Sequence, residues 1–461
     1  MNSRRPIIAL IAIGAIIVAI LTFVPYSLTM VKRAGHNVAA AVQHSLGRVD
    51  AQPAFEAEIS KPAVPQFDVA LWYGARGEEP EKHGVLIQSL DGGRVYASHN
   101  ADTTFNPASL VKLTTTLVAL KRLGADYRFV TRVYTDGTVD ASGTLNGNLY
   151  LAGNDPTFGD ASANLIAKEL RARGITRVKE KILAAPGFSF NFNERAEESA
   201  EYAARVMGLK QSATGMAEAS GTEIFALYSN PLREVLLYMN AHSNNFVADR
   251  LGAFLGSPQA IVRVLVEDLK LPPEQVSLET ASGLYNNRMT PRGVLVVIKA
   301  LIEEAARHGL KPEDVMPVVG CDWGTVRRRM EGTGFECSLV GKTGTLTTTD
   351  GGMSNLAGIV FVKDSEPILF AILAQGNRIW EHKQMADQLL AETIREQQPA
   401  PLFADTETRR QLLPPNSMRI EQVAEVRGQR PIKAEDGKLQ GDSQPRTAKD
   451  NSRSEPRSGG R

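Results

Sequence analysis

The most apolar part of the chain is its start. Residues 6–31 contain no charged side chain, and Ile7–Val24 consists almost wholly of Ile, Ala, Leu and Val. About 20 apolar residues in a helix span the core of a bilayer, and the two arginines before the run are typical of a segment whose start stays in the cytoplasm. The pattern predicts a membrane anchor or an export signal over 1–31, and its length favours an anchor. Either one places the residues that follow outside the cytoplasm.

Short apolar runs near both ends of the central region predict the strands of one sheet. His83–Leu90 and Arg94–Ser98 flank Asp91-Gly92-Gly93, which is a hairpin signal. Asn355–Val362 and Pro367–Ala374 form a second pair of strand-like runs. Helical spacing occurs over Leu110–Leu123, Pro231–Asn240 and Trp380–Gln397. Strands at both ends with helices between them predict an α+β domain, in which a single sheet joins the two ends.

Residues 130–223 break this pattern and predict one small inserted α/β domain. Turn-rich sequence over Tyr134–Leu151 leads to a helical pattern, Asn164–Arg173, and then to a further apolar segment, Val178–Phe190. The main domain is therefore predicted to be discontinuous, over 66–129 and 224–400.

The segments outside these domains have a different composition. Residues 32–65 are rich in Ala, Gln and Pro and are interpreted as a linker. No aromatic residue follows Phe403, and residues 401–461 contain 12 Lys/Arg and 9 Asp/Glu. Such a segment buries too little apolar surface to offset the entropy lost on ordering. We therefore expect a disordered tail over 401–461.

Composition and charge exclude some classes of binding partner, but they do not identify the partner that the protein has. The 461 residues include 52 Lys+Arg and 51 Asp+Glu, a net charge of +1, so the basic excess of a nucleic-acid-binding protein is missing. The seven histidines show no metal-ligand spacing, so no metal is expected. The two cysteines, Cys321 and Cys337, are either disulfide-bonded, which an oxidising compartment allows, or two small buried thiols.

The segment Ser109-Leu110-Val111-Lys112 opens a predicted helix and can supply a nucleophile. A serine and a lysine three positions apart on a helix lie on one face. A lysine in a desolvated, positively charged site can lose its proton and act as a base, which activates serine without histidine. The alternative is an ordinary capping serine beside a solvated lysine.

A second motif, Lys342-Thr343-Gly344-Thr345, occurs once and precedes strand-like sequence. On an edge strand, Lys342 and Thr343 can hold a substrate carboxylate, and Gly344 leaves room for substrate backbone. The backbone N–H of Thr345 can form an oxyanion hole with that of Ser109. The alternative is a surface turn.

The third element is S-x-N, which by itself is not specific because it occurs at four serines. Ser243-Asn244-Asn245 is chosen because it follows the helical pattern Pro231–Asn240 and lies in the main domain. The other three occurrences, at Ser98, Ser162 and Ser189, precede the nucleophile or lie in the insert.

These three motifs together resemble the signature set of penicillin-binding proteins and class A β-lactamases. The flanking sequence is more specific and resembles the D-alanyl-D-alanine carboxypeptidase/endopeptidase family of class C low-molecular-mass penicillin-binding proteins (the penicillin-binding protein 4 type, peptidase family S13). The matching stretches are Asn106–Leu113, Gly147–Phe158, Asn230–Leu251, Ala281–Pro291, Asp322–Met330 and Gly341–Leu346. The resemblance implies a penicillin-binding-protein/serine β-lactamase-like domain, an antiparallel sheet flanked by helices, interrupted by the insert.

The resemblance also implies a reaction. Ser109 would attack the terminal D-Ala-D-Ala bond of a peptidoglycan stem peptide, neutral Lys112 would take its proton, and Ser243 beside Lys342 would relay a proton to the leaving amine. β-Lactams would acylate Ser109, and no metal or organic cofactor would take part. The residues that would orient or bind the substrate are Asn245, Thr343, Gly344, Thr345 and Asp155, of which Asp155 is equally well read as a turn-capping residue.

Two departures from the family pattern leave the substrate preference open. Ser109 and Ser243 are 134 residues apart, whereas members of this type usually have a longer gap that holds two inserted domains, so the second insert looks absent. Carboxypeptidase and endopeptidase activity therefore both remain open. The alternatives outside this family are a serine β-lactamase and a non-catalytic envelope scaffold on the same fold.

Overall fold

The structure, a computed structural model, describes residues 66–211, 213–403 and 413–423. The anchor or signal predicted over 1–31 and the linker predicted over 32–65 lie outside these residues, as does most of the predicted tail. Among the described residues, none of the helices combines the length and the apolar character needed to cross a bilayer.

Helices and strands alternate along most of the described chain. The helices are α1 (Val69–Gly74), α2 (Val111–Leu123), α3 (Asp160–Ala172), α4 (Ala196–Met207), α5 (Leu232–His242), α6 (Asn245–Phe254), α7 (Pro258–Glu267), α8 (Pro291–Arg307) and α9 (Ile379–Thr393). The strands are β1 (His83–Ser89), β2 (Val95–His99), β3 (Val130–Thr135), β4 (Thr138–Val139), β5 (Thr144–Asn146), β6 (Leu149–Gly153), β7 (Arg177–Val178), β8 (Lys181–Ala184), β9 (Ala213–Met216), β10 (Thr222–Tyr228), β11 (Val276–Ser277), β12 (Arg288–Met289), β13 (Leu339–Leu346), β14 (Met353–Val360), β15 (Ile368–Gln375) and β16 (Arg419–Gln422).

The main sheet joins the two ends of the main domain. Its order is β13-β14-β15-β1-β2, and every neighbouring pair is antiparallel. Strand β1 pairs with β15 from His83 opposite Ala374 to Ser89 opposite Ile368. Sequence patterning thus predicted this sheet correctly, including the hairpin of β1 and β2 and the end of α2 at Gly124.

Both faces of this sheet are buried, and they pack against different helices. Because successive side chains of a strand point to opposite faces, Leu86 contributes to a cluster with the apolar sides of α2, α5, α6 and α8. Val85 and Ile87 point the other way and pack with residues of α1 and α9. The first face positions the chemistry described below, and the second face is covered by the first and last helices of the domain.

A second hydrophobic cluster extends from Val133 to Leu227. It lies between α3, α4 and a six-stranded sheet of order β16-β10-β3-β6-β8-β9, in which parallel and antiparallel pairs mix. Strand β10 runs to Tyr228, so this sheet continues past the predicted boundary at 223. The assignment of 130–223 as a separate inserted domain stays a prediction.

The prediction of a disordered tail over all of 401–461 is wrong for residues 413–423. Strand β16 pairs antiparallel with β10, from Arg419 opposite Tyr228 to Gln422 opposite Phe225. Met418 and Ile420 pack on the second cluster, which compensates the entropy of ordering this segment. The prediction used the average composition of all 61 residues, which is polar. That average did not reveal the two apolar side chains that lie beside the edge of β10.

The question of the two cysteines is also answered. Cys321 and Cys337 form a disulfide that closes a loop of sequence separation 16. Both residues are buried in the cluster that supports the first face of the sheet. The bond ties the loop after α8 to the residues that enter β13.

Candidate active site

The nucleophile turn, residues 106–110, precedes α2 and is fixed by side-chain hydrogen bonds. Ala108 has a φ of 49°, a left-handed conformation that a non-glycine residue adopts only when its surroundings enforce it. The Asn106 Oδ1 accepts from the Ala108 N–H at 3.0 Å, and the Asn355 Nδ2 donates to the Asn106 carbonyl at 3.0 Å. The turn therefore presents Ser109, which is half-buried, at a fixed position at the start of α2.

Lys112 lies one helical turn after Ser109, as its spacing predicted, and its ammonium nitrogen has three oxygen neighbours. The Nζ atom is 2.9 Å from Ser109 Oγ, 2.7 Å from Asn245 Oδ1 and 2.6 Å from the Ser282 carbonyl oxygen. The side chain is fully buried. Two of the three neighbours, the Asn245 and Ser282 carbonyl oxygens, can only accept hydrogen bonds.

Burial decides the protonation of this lysine. Desolvation lowers the pKa of Lys112 from 10.5 to about 7, against the opposing influence of the Asp249 carboxylate. A neutral amine has two N–H donors and one lone pair. Since Asn245 and Ser282 take the two donors, the lone pair is left for the hydroxyl proton of Ser109. This geometry is the one that a general base requires.

Ser243 and Lys342 form a second serine–lysine pair. Ser243 ends α5 in a left-handed conformation, and Asn244 caps the start of α6 by accepting from the Val247 N–H at 3.0 Å. The Lys342 Nζ lies 2.9 Å from Ser243 Oγ and donates to the Thr343 carbonyl at 2.7 Å. Burial, and secondly the neighbouring Lys112, hold the pKa of Lys342 well below its usual range.

Strand β13 is an edge strand of the main sheet, and its Lys342–Thr345 segment lies beside the nucleophile turn. A Cβ on Gly344 would meet the Pro107 carbonyl oxygen at 2.6 Å and the Ala108 side chain at 3.2 Å. The glycine therefore lets the strand approach the chain's own nucleophile turn, which differs from the expectation that it makes room for substrate. Thr343 is buried and donates to Thr325 Oγ1 at 2.8 Å, whereas Thr345 is half-buried.

The structure brings Ser109, Lys112 and Asn245 together and places Ser243 against Lys342. Asp155 is not part of this hydrogen-bonded group. Its carboxylate accepts from the Thr157 N–H at 2.8 Å and from the Thr157 hydroxyl at 2.7 Å, which is the turn-capping role. Burial raises the pKa of Asp155 to about 6. Its role as a substrate-binding residue stays a prediction.

An exposed aromatic residue two positions after Phe190, a member of the second cluster, lies beside α5 and α6. The exposed ring of Phe192 lies 6.2 Å from Tyr238 and 5.8 Å from Phe246, measured between ring centroids. Phe246 directly follows Asn245 in α6. Aromatic rings therefore flank the half-buried polar groups on the side of the second sheet.

Sequence reasoning missed two residues that position the site, Asp249 and Thr325. Asp249 Oδ1 accepts from the Ser282 N–H at 2.9 Å, which fixes the carbonyl that Lys112 contacts. Thr325 joins Thr343 to α5, because its N–H also donates to the Ala241 carbonyl at 2.9 Å. Asp249 and Thr325 lie in the flanking stretches 230–251 and 322–330. The resemblance of these two stretches to the family was therefore the only signal in the sequence that could have pointed to them.

The arrangement is suited to acyl transfer by serine. Two buried lysines contact half-buried polar side chains: Lys112 contacts Ser109 and Asn245, and Lys342 contacts Ser243. A serine beside a buried lysine of lowered pKa, with an amide and a second serine–lysine pair nearby, is typical of the site of a penicillin-binding-protein-type serine hydrolase.

Comparisons with known proteins agree with this class. The sequence model of the D-Ala-D-Ala carboxypeptidase 3 (S13) family matches residues 75–188 and 203–395, more than half of the chain, and the chain belongs to this family. It is 26% identical over 433 residues to carboxypeptidase DacB of Mycolicibacterium smegmatis, covering 79% of this chain and 92% of that protein. The predicted family and the predicted class of enzyme, a serine-type D-Ala-D-Ala carboxypeptidase/endopeptidase, are confirmed.

Solved structures agree with the fold. A predatory endopeptidase from Bdellovibrio bacteriovorus has a TM-score of 0.61 at 22% identity, over 72% of this chain and 96% of that one. Penicillin-binding protein 4 from Haemophilus influenzae has a TM-score of 0.54 at 16% identity, over 67% of this chain and 96% of that one. The expected penicillin-binding-protein-like mixed α/β fold is therefore confirmed.

Proposed function

We propose that this protein cleaves the terminal D-Ala-D-Ala bond of peptidoglycan stem peptides through an acyl-enzyme on Ser109. The observation that supports this most directly is the environment of Lys112. Its two acceptor-only neighbours, Asn245 Oδ1 and the Ser282 carbonyl, leave its lone pair directed at Ser109 Oγ. The family match supports the D-Ala-D-Ala bond as the substrate.

In the acylation step, Ser109 Oγ attacks the carbonyl carbon of the penultimate D-alanine while Lys112 accepts the hydroxyl proton. The tetrahedral oxyanion is held by the backbone N–H groups of Ser109 and Thr345, which the closeness of β13 to the nucleophile turn favours. Asn245 keeps the Lys112 amine aligned and can donate its amide N–H to the substrate.

Breaking the amide bond requires a proton on the leaving nitrogen. Ser243 Oγ donates this proton and, with Lys342 Nζ 2.9 Å away, regains the proton that Lys112 took from Ser109, so that Lys112 is neutral again after acylation. Thr343 and Thr345 bind the terminal carboxylate of the substrate. Water then attacks the Ser109 ester while neutral Lys112 takes a proton from the water, and Lys112 returns that proton to Ser109 Oγ as the ester bond breaks.

A β-lactam mimics the D-Ala-D-Ala bond in this scheme and acylates Ser109. A solved structure of the Bdellovibrio bacteriovorus endopeptidase is acylated by penicillin G, which supports the same chemistry here. Covalent labelling with a fluorescent penicillin tests the proposal: Ser109→Ala should lose the label. Ser98→Ala is the matched control, since Ser98 also begins an S-x-N motif but is an exposed residue of β2. Labelling that survives in Ser109→Ala would remove Ser109 as the nucleophile.

Carboxypeptidase and endopeptidase activity differ only in the leaving group, a free D-alanine or a cross-linked peptide. Mass spectrometry of purified peptidoglycan digested by the protein separates the two. Loss of terminal D-alanine alone identifies a carboxypeptidase, and loss of cross-linked dimers identifies an endopeptidase.

We also propose that the catalytic domain works outside the cytoplasm, attached to the membrane through residues 1–31. The apolar run Ile7–Val24 and the Cys321–Cys337 disulfide support this, since disulfides persist in oxidising compartments. External protease applied to spheroplasts should degrade the domain while membranes retain a short N-terminal fragment. Full protection from the protease would contradict the proposal.

A further inference from the structure

A cluster of three ligand-type side chains lies on the face of the main sheet opposite the active site. His83 begins β1 and shares the direction of Val85 and Ile87, which pack against α1 and α9. Lys342 shares the direction of Val340, which belongs to the cluster on the other face. The histidine cluster is therefore separated from the catalytic lysines by the sheet itself.

The cluster consists of Glu78, His83 and His382. Glu78 Oε2 lies 3.0 Å from His382 Nε2 and 3.5 Å from His83 Nε2. One ligand atom from each of the three side chains lies within 4.8 Å of the other two. Sequence spacing gave no hint of this grouping, because His382 in α9 is 304 positions from Glu78.

The two imidazoles are buried, and three of their four ring nitrogens lack a hydrogen-bond partner among the described residues. His83 is 0% exposed and His382 2% exposed. Neither ring nitrogen of His83 has a hydrogen-bond partner among the described residues, and neither has Nδ1 of His382. Leaving buried polar groups unsatisfied is costly, so such atoms call for an explanation. His83 is further held in place by Tyr73, whose ring stacks on it at 3.7 Å.

We propose that Glu78, His83 and His382 bind a zinc ion. Zinc bonds of about 2.0–2.2 Å to nitrogen and oxygen at tetrahedral angles place neighbouring ligand atoms about 3.4 Å apart. The two separations that involve Glu78 Oε2, 3.0 and 3.5 Å, bracket that value, and the histidine nitrogens lie within 4.8 Å of each other. Two imidazoles and one carboxylate form a zinc ligand set that leaves the fourth position to a water molecule. The ion gives the His83 Nε2 lone pair the partner that it lacks.

The remaining contacts of Glu78 fit a ligand held in a fixed orientation. Arg378, at the start of α9, donates to the second carboxylate oxygen, Oε1, at 2.8 Å, which leaves Oε2 facing both histidines. Such outer contacts orient metal ligands. The ion joins the segment after α1, the first strand and the last helix of the main domain, so its effect is on stability and it takes no part in the reaction at Ser109.

The alternative without metal is a Glu78–His382 hydrogen bond inside a buried charge cluster.

The test uses the full-length protein in detergent, treated with a chelator, dialysed and titrated with zinc chloride. Bound zinc is measured by mass spectrometry of the metal, and the thermal midpoint by differential scanning fluorimetry. The variants are Glu78→Gln and His382→Gln, with His308→Gln as control, since His308 is an exposed histidine 3.2 Å from Glu304 of α8.

We expect one zinc per chain in the wild type and in His308→Gln, with a thermal midpoint several degrees higher than that of the metal-free protein. In Glu78→Gln and His382→Gln the zinc affinity should fall more than about 100-fold, since loss of an outer contact to a ligand already costs about 10–100-fold. Fluorescent-penicillin labelling of Ser109, on the opposite face, reports which variants are folded. A labelled wild-type protein that binds no zinc at micromolar concentrations overturns the proposal, whatever the variants do. Zinc retained at wild-type affinity in either cluster variant overturns it as well.

Discussion

Replacing Lys112 by methionine should stop acylation and should make the protein more stable at neutral pH. Methionine has a similar length and no charge, so it occupies the same buried space. The wild-type lysine is fully buried, and desolvation lowers its pKa from 10.5 to about 7. A folded state that lowers the pKa of a lysine binds fewer protons than the unfolded chain between those two pH values. The free energy of unfolding therefore rises with pH through that window.

The size of the effect follows from the two pKa values. Burying Lys112 costs about 4 kcal/mol at pH 7, about 2 kcal/mol at pH 9 and almost nothing above the unfolded pKa of 10.5. Methionine removes this cost but also loses the hydrogen bonds to Asn245 and Ser282 and leaves two acceptors unpaired, which costs roughly 1 kcal/mol each. We expect Lys112→Met to be about 1–2 kcal/mol more stable at pH 7, and this advantage to fall by about 2 kcal/mol by pH 9.

Urea unfolding of the full-length protein at pH 7, 8 and 9 measures this difference. Tryptophan fluorescence reports the transition, since all three tryptophans, Trp72, Trp323 and Trp380, lie in the described domain. Lys168→Met, at an exposed position of α3, is the control for removing a lysine and should show no comparable dependence on pH. If the Lys112→Met difference is the same at all three pH values, the lysine keeps its ordinary pKa and the assignment of Lys112 as the base is refuted.

Three other outcomes are expected. The rate of acylation by a β-lactam should rise about tenfold per pH unit below pH 7 and level off above it, because Lys112 must be neutral; a rise that continues to pH 10 would contradict this. Gly283→Ala should slow acylation, since Gly283 has a φ of +87° and a Cβ there would collide with the carbonyl before Ser109. Gly187→Ala, at a φ of +84° with open space around it, should not. Replacing Cys321 and Cys337 by serine should lower the free energy of unfolding by about 3 kcal/mol in urea; an unchanged urea midpoint would refute it.

The sequence predicted the elements whose signals are local. A short apolar run over 83–90 and a glycine at 124 are enough to place β1 and to end α2, because both signals act within a few residues. The pairing of Lys112 with Ser109 is local for the same reason. The three motifs also indicated that Ser243 and Lys342 belong to one site, which the contact between their side chains agrees with.

The supporting contacts could not be predicted in this way. Lys112 contacts the carbonyl oxygen of Ser282, an atom that every residue possesses, so no side-chain pattern reports it. Asp249 acts by accepting from the backbone N–H of that same residue. The proximity of Glu78 to His382 arises only when the two ends of the main domain meet across the sheet. In each case the relevant distance is created by tertiary packing.

Strand β16 has a consequence for how a shortened protein would fail. It covers the edge of β10, and β10 lies between it and β3 in the second sheet. A chain ending at Phe403 would keep every side chain named in the catalytic scheme. It would, however, leave a row of unpaired backbone N–H and C=O groups along the edge of β10. Such a row is a template on which strands of other molecules pair. Loss of the distal strand would therefore be seen first as self-association, with catalytic competence intact in the molecules that stay monomeric.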